Sequence, residues 1–142
     1  MAWSRRIVWV LAALVLLASC GKENRCRVPI GDAACSIDPN SALYPGINNC
    51  DGFEYIVGGY NGVVVIRTGF NTFAAYERTC PQDSARLVMA EGYGNIVLEC
   101  PACGSKFNTF DDGAPLEGSR TYCYLYKYGT YYDGQLLYIS NY

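Results

Sequence analysis

Thr79-Cys80-Pro81-Gln82 and Cys100-Pro101-Ala102-Cys103-Gly104-Ser105-Lys106-Phe107 are the two stretches on which the reading of this chain turns. Each places a cysteine directly before a proline, the first after a predicted strand and the second after a predicted hairpin. Between them, the apolar runs Arg86 to Ala90 and Asn95 to Glu99 flank Glu91-Gly92-Tyr93-Gly94. Two glycines available for positive φ make that segment a hairpin turn, so the Cys-Pro loops are separated by a predicted β-hairpin.

Outward from the loops the chain keeps reading as short strands. Phe53 to Val57 and Val63 to Arg67 flank Gly58-Gly59-Tyr60-Asn61-Gly62, and the second run is apolar until its last residue, as expected of a strand buried on both faces. Phe73 to Arg78 is predicted as the strand that delivers the chain to Cys80. Ser105 to Phe110 and Thr121 to Tyr128 are further expected strands, separated by a connection that opens with the turn Asp111-Asp112-Gly113-Ala114-Pro115. Gln135 to Ser140 closes the domain after Asp133-Gly134, a strong hairpin marker. Residues 26–49 are rich in Pro, Asp, Asn and Ser and read as a loop-heavy wrap with one strand at its start. Thirteen tyrosines and runs of valine and isoleucine suit a pleated surface, and no 3.6-residue apolar period or longer repeat competes. The predicted class is all-β, an antiparallel sandwich or small barrel.

With those residues in place, the chain resembles the Rieske iron–sulfur family, whose ligand loops run Cys-x-His and Cys-x-x-His-Gly-x-x-Phe. The Thr79-Cys80-Pro81 entry, the hairpin and the Gly104-Ser105-Lys106-Phe107 exit stand where that family has them, and the likeness extends from about Val28 to Ile139. It is similar in particular to Rieske-fold lipoproteins of the Bacteroidetes type. The resemblance implies a β domain over residues 28–142 with a small loop subdomain carrying both Cys-Pro loops, and cofactor-binding positions at Cys80, Gln82, Cys100 and Cys103. Both family histidines are replaced, the first by Gln82 and the second by Cys103. A Rieske centre holds one iron with two thiolates and the other with two imidazoles. This chain cannot build it.

Three outcomes stay open for Cys80, Cys100 and Cys103. The family's loops bring these positions together, so an exported chain can pair Cys80 with Cys100 or Cys103 in a disulfide and hold no cofactor. The three thiolates can instead hold zinc, with Gln82, Asp83 or water as a fourth ligand, since Cys-x-x-Cys-Gly is a common half-site for a tetrahedral metal. Or a non-classical [2Fe–2S] cluster persists on three cysteines and an oxygen ligand. Cys26, Cys35, Cys50 and Cys123 remain as an even set, expected to form two structural disulfides of undetermined connectivity.

The N-terminus carries a separate message. Residues 1–19 place Arg5-Arg6 before an apolar run from Ile7 to Ala18, the pattern of a signal peptide, and the run is shorter than the roughly 20 apolar residues of a spanning helix. Leu17-Ala18-Ser19-Cys20 resembles the lipobox of exported bacterial lipoproteins. That resemblance implies cleavage before Cys20, acylation (palmitate and related chains) of that cysteine, a tether over residues 20–27 and attachment to an envelope membrane.

Composition limits function further. The chain contains no histidine, which excludes Ser-His-Asp hydrolysis, Cys-His nucleophiles and histidine-ligated metals. A formal net charge of −2 leaves no basic footprint for nucleic acid. Asp111, Asp112 and Glu117 read as a solvated turn in preference to a calcium site, the tyrosines between Tyr122 and Tyr132 as one packed and one half-exposed face, and Glu77 as a residue that orients the first Cys-Pro loop. The expectation is a non-enzymatic binding or structural module of the cell envelope, with electron transfer through a modified cluster as the alternative.

Overall fold

The computed structural model describes residue 26 and residues 28–142. The segment expected to be a signal peptide, Cys20 and nearly all of the expected tether lie outside the described residues. Ten strands are present there, with a 3₁₀ turn at Pro45–Ile47 and no α-helix, and no helix is long and apolar enough to cross a membrane. The described residues are all-β, as their sequence predicts.

A six-stranded antiparallel sheet is ordered β1 (Cys35–Ile37), β10 (Leu137–Ser140), β9 (Lys127–Tyr132), β4 (Phe73–Glu77), β3 (Val63–Arg67) and β2 (Phe53–Ile56). A four-stranded antiparallel sheet follows the order β5 (Val88–Met89), β6 (Val97–Glu99), β7 (Lys106–Asn108) and β8 (Ala114–Pro115). The large sheet forms a half-barrel, and the small sheet is the loop subdomain.

Strands β3 and β4 are the shared wall. Every residue of both is buried, and the two-residue period of a strand deals alternate side chains to opposite faces. Val63, Val65, Phe73 and Ala75 join Ile37, Ile47, Ile56, Tyr128, Leu137 and Ile139 in one core inside the half-barrel. Val64, Ile66, Ala74 and Tyr76 face the other way and pack with Leu87, Leu98, Phe107 and Leu125 in a second core under the small sheet. The uninterrupted apolar run of β3 is thus explained by a strand with a hydrophobic core on each side. Arg67, its last residue, sends its guanidinium to the carbonyls of Ile47, Asn48 and Phe70 and so ties the N-terminal wrap to the sheet.

Three expectations are revised. The strand predicted over Thr121 to Tyr128 begins only at Lys127 and runs on to Tyr132. Residues 121–126 carry the chain from one core to the other: Cys123 is bonded to Cys26, and Leu125 buries its side chain in the second core while its N–H donates to Gly113 O. The strand of the wrap lies at Cys35–Ile37, where it pairs with β10, and not at the start of the segment. Of the two disulfides expected among four cysteines, Cys26–Cys123 forms, whereas Cys35 and Cys50 are thiols. Cys35 is half-buried in β1 opposite Ile139, and Cys50 is exposed in the turn before β2.

Candidate metal centre

Both Cys-Pro loops leave the small sheet at the same end. β6 ends at Glu99, which pairs with Val88 of β5 on one side and Lys106 of β7 on the other, so the β4–β5 loop and the β6–β7 loop must meet there. An isolated bridge between Thr79 and Arg86 closes the base of the first loop.

The two loops are built alike. In the first, Cys80 N–H donates to Ala85 O at 2.9 Å and Ser84 N–H to Cys80 O at 2.9 Å. In the second, Cys100 N–H donates to Ser105 O at 2.8 Å and Gly104 N–H to Cys100 O at 2.8 Å. The fifth residue of each turn has positive φ, 60° at Ser84 and 76° at Gly104. Glycine adopts that conformation freely; Ser84 does so at a cost of roughly 1–2 kcal/mol. Each turn folds a backbone N–H onto the leading sulfur: Gln82 N–H to Cys80 Sγ at 3.4 Å, and Cys103 N–H to Cys100 Sγ at 3.5 Å. Position four of each turn also points inward, as Asp83 in the first loop and Cys103 in the second.

Four ligand atoms converge as a result. One atom each from Cys80, Asp83, Cys100 and Cys103 lies within 4.8 Å of all the others. Cys80 Sγ is 3.7 Å from Cys103 Sγ, Cys100 Sγ is 3.4 Å from each Asp83 carboxylate oxygen, and Cys103 Sγ is 3.2 Å from Ser105 Oγ. Cys80 and Cys100 are buried and Cys103 is half-buried, while Asp83 is exposed and braced by Ala85 N–H. Burial pushes the Cys80 thiol far above its ordinary range and raises Cys100 as well. Cys103 meets the same burial penalty, but hydrogen bonds from Ser105 and the neighbouring thiols outweigh it and hold Cys103 below the usual thiol value. The Asp83 carboxyl is likewise penalised by burial, yet is kept below its ordinary value by Ala85 N–H and the three thiols.

Behind the first loop stands Glu77, fully buried at the end of β4. Its carboxylate accepts hydrogen bonds from Tyr60 N–H at 2.7 Å, Asn61 N–H at 3.0 Å, the Thr79 hydroxyl at 2.8 Å and the Tyr128 hydroxyl at 2.7 Å. The clamp fixes the β2–β3 turn, β9 and Thr79 against one another, so Cys80 emerges from a rigid base. Gly59, at φ +65°, is required there, because an added Cβ would lie 2.4 Å from Glu77 Oε2.

No protein-family model matches the chain, and no curated protein matches it either. Among solved structures it is similar to the ferredoxin of carbazole 1,9a-dioxygenase from Nocardioides aromaticivorans IC177, at a TM-score of 0.52 and 20% identity over 82% of this chain and 100% of that one. The fold is Rieske-like. At that identity the likeness speaks for the Rieske-like architecture alone, and the donor set has to be judged on its own chemistry. A two-iron Rieske centre needs two imidazoles and sets its ligand pairs at opposite ends of a two-metal, two-sulfide core. This site has no imidazole and gathers all its donors within the span of a single ion. The residues do not fit the family's cluster.

Of the sequence candidates, the structure brings Cys80, Cys100 and Cys103 together and leaves the three as thiols. Gln82 is exposed, and its backbone N–H donates to Cys80 Sγ at 3.4 Å. Asp83, one of several options for a fourth ligand, takes the inward position. The sequence did carry a signal for it, since Asp83 stands three residues after Cys80 as Cys103 stands three after Cys100, each followed by a residue with positive φ. Asp112 belongs to a turn and is ion-paired with Lys127.

Proposed function

We propose that this chain is a lipid-anchored module of the bacterial cell envelope that keeps a Rieske-like scaffold for binding or structural work and performs no catalysis, its two Cys-Pro loops braced and not redox-active. The observation that carries this reading is the donor set itself: three thiols and a carboxylate within 4.8 Å, in a chain without histidine. The lipobox-like Leu17-Ala18-Ser19-Cys20 supports the anchor. Lipid on Cys20 would hold the module at the membrane through buried methylenes, each worth roughly 0.8 kcal/mol, and two or more chains suffice for durable attachment.

The test has two arms. Expressed in a bacterium fed a clickable palmitate analogue, the chain should be labelled and partition into the detergent phase, and Cys20→Ala should abolish both. Isolated anaerobically, the full chain should be colourless. The second reading is electron transfer by a cluster with oxygen or thiolate ligands in place of imidazole and hence a lower potential. Red-brown material with a rhombic EPR signal would establish that reading and remove the first.

A further inference from the structure

We infer that Cys80, Asp83, Cys100 and Cys103 form a tetrahedral site for one thiophilic divalent cation of the zinc class, one loop giving a thiolate and a carboxylate and the other two thiolates. The inference rests on the reading above, that the loops are braced and not redox-active, and names what braces them.

Distances carry it. With bonds of about 2.3 Å to sulfur and about 2.0 Å to oxygen, tetrahedral angles set two sulfurs about 3.8 Å apart and a sulfur and an oxygen about 3.5 Å apart. Cys80 Sγ and Cys103 Sγ are 3.7 Å apart, and Cys100 Sγ and the Asp83 oxygens 3.4 Å. The donors already stand near the corners of a single coordination sphere. A disulfide between Cys80 and Cys103 would need the sulfurs drawn in to about 2.05 Å, which breaks that arrangement.

The backbone supplies the second line of support. Each turn repeats the same pair of main-chain hydrogen bonds and the same left-handed fifth residue, so its first and fourth side chains are aimed inward from either side. One such turn could be incidental to a hairpin. Two, facing each other with donors at all four inward positions, make a built site. Ser84 holds φ 60° without being glycine, a strained geometry that the first turn keeps and that sets Asp83 in place.

Donor chemistry selects the ion. Three thiolates prefer zinc-like cations to magnesium or calcium, and four protein ligands with no open position mark a structural site. Binding displaces the protons of the three thiols to solvent and takes none from Asp83. The Gln82 and Cys103 N–H groups and the Ser105 hydroxyl meet the excess negative charge on sulfur. The thiolate corners are buried or, at Cys103, half-buried, and the exposed corner is the carboxylate, so the ligand that yields to water first is Asp83.

The full chain, purified in detergent under anaerobic conditions and stripped with a chelator, is titrated with cobalt(II) and then zinc. One cobalt per chain should bind, with thiolate-to-metal charge transfer and the intense visible bands of a tetrahedral site, and zinc should displace it. Zinc should protect Cys80, Cys100 and Cys103 from alkylation while Cys50 stays reactive, a readout that needs no variant to fold. Asp83→Ala should weaken cobalt binding by at least about 10–100-fold, the loss that even outer-sphere partners cause. Asp83→Cys should tighten it. Colourless protein whose three thiols stay fully reactive in excess zinc overturns this inference alone. So does an Asp83→Ala variant with wild-type affinity. An iron–sulfur chromophore overturns both the inference and the reading beneath it.

Discussion

Replacing Glu77 with glutamine changes one atom of the buried clamp and should be among the most damaging conservative substitutions in the domain. Each carboxylate oxygen accepts one backbone N–H and one hydroxyl: Oε2 from Tyr60 and Tyr128, Oε1 from Asn61 and Thr79. In Glu77→Gln one oxygen becomes an NH₂ group. The hydroxyl beside it can rotate and accept, but the backbone N–H cannot, and a buried donor left unsatisfied costs about 1–3 kcal/mol. The remaining bonds lose their charge assistance, while removing a buried charge returns part of its desolvation cost. The balance is a loss of roughly 2–4 kcal/mol, or ~8–16 °C in melting temperature for a domain of this size. Urea denaturation followed by circular dichroism reads it directly, with Tyr128→Phe as a milder control that removes one hydroxyl donor. A Glu77→Gln midpoint indistinguishable from wild type would refute the view that the clamp holds the base of the first loop.

Further outcomes follow from the same structure. Cys26→Ser with Cys123→Ser opens a link across 97 residues of sequence, and should cost about 2–5 kcal/mol in chemical denaturation; an unchanged midpoint would show that the bond does not form. Gly59→Ala drives a methyl against Glu77 and the Tyr128 hydroxyl, so it should destabilise by clearly more than Gly94→Ala, where only the positive φ is strained; equal melting temperatures would argue against the close approach. Burial, with Asp112 and Asp111 nearby, raises the Tyr76 hydroxyl, and burial with the Glu77 bond raises Tyr128 still more. Both folded values lie above the unfolded value of about 10, so their contribution to stability is complete below roughly pH 10 and declines as alkali deprotonates the unfolded chain first. An ultraviolet titration should therefore show these two tyrosines ionising only on alkaline unfolding, and a full tyrosine signal from folded protein would contradict it.

Much of the architecture was legible because its determinants are local. Glycine pairs, Asp133-Gly134 and the apolar run of Val63 to Ile66 each fix a turn or a strand within a few residues, and the strands expected around them are present. The misreadings fall where distant contacts decide. Residues 121–126 have the tyrosine-rich alternation of a strand, yet Cys123 and Leu125 are held by the disulfide and the second core, so pairing starts only at Lys127. Cysteine parity suggested two disulfides, but parity carries no information about which thiols share a surface. At the site, Cys80, Cys100 and Cys103 stood out by residue type, whereas Asp83 was one of three options for a fourth ligand, beside Gln82 and water.

By itself the sequence determined that the domain is all-β, that two Cys-Pro loops flank a hairpin, and that no imidazole can serve them, because turn chemistry, strand period and residue identity are properties of short segments. Only the tertiary structure decided that β3 separates two cores, that Glu77 is a four-donor clamp, and that an Asp83 oxygen joins the three thiols. Those facts depend on which side of each loop a side chain leaves and on what the opposite sheet brings to meet it. Neither is set until the two loops are packed at one end of the same hairpin.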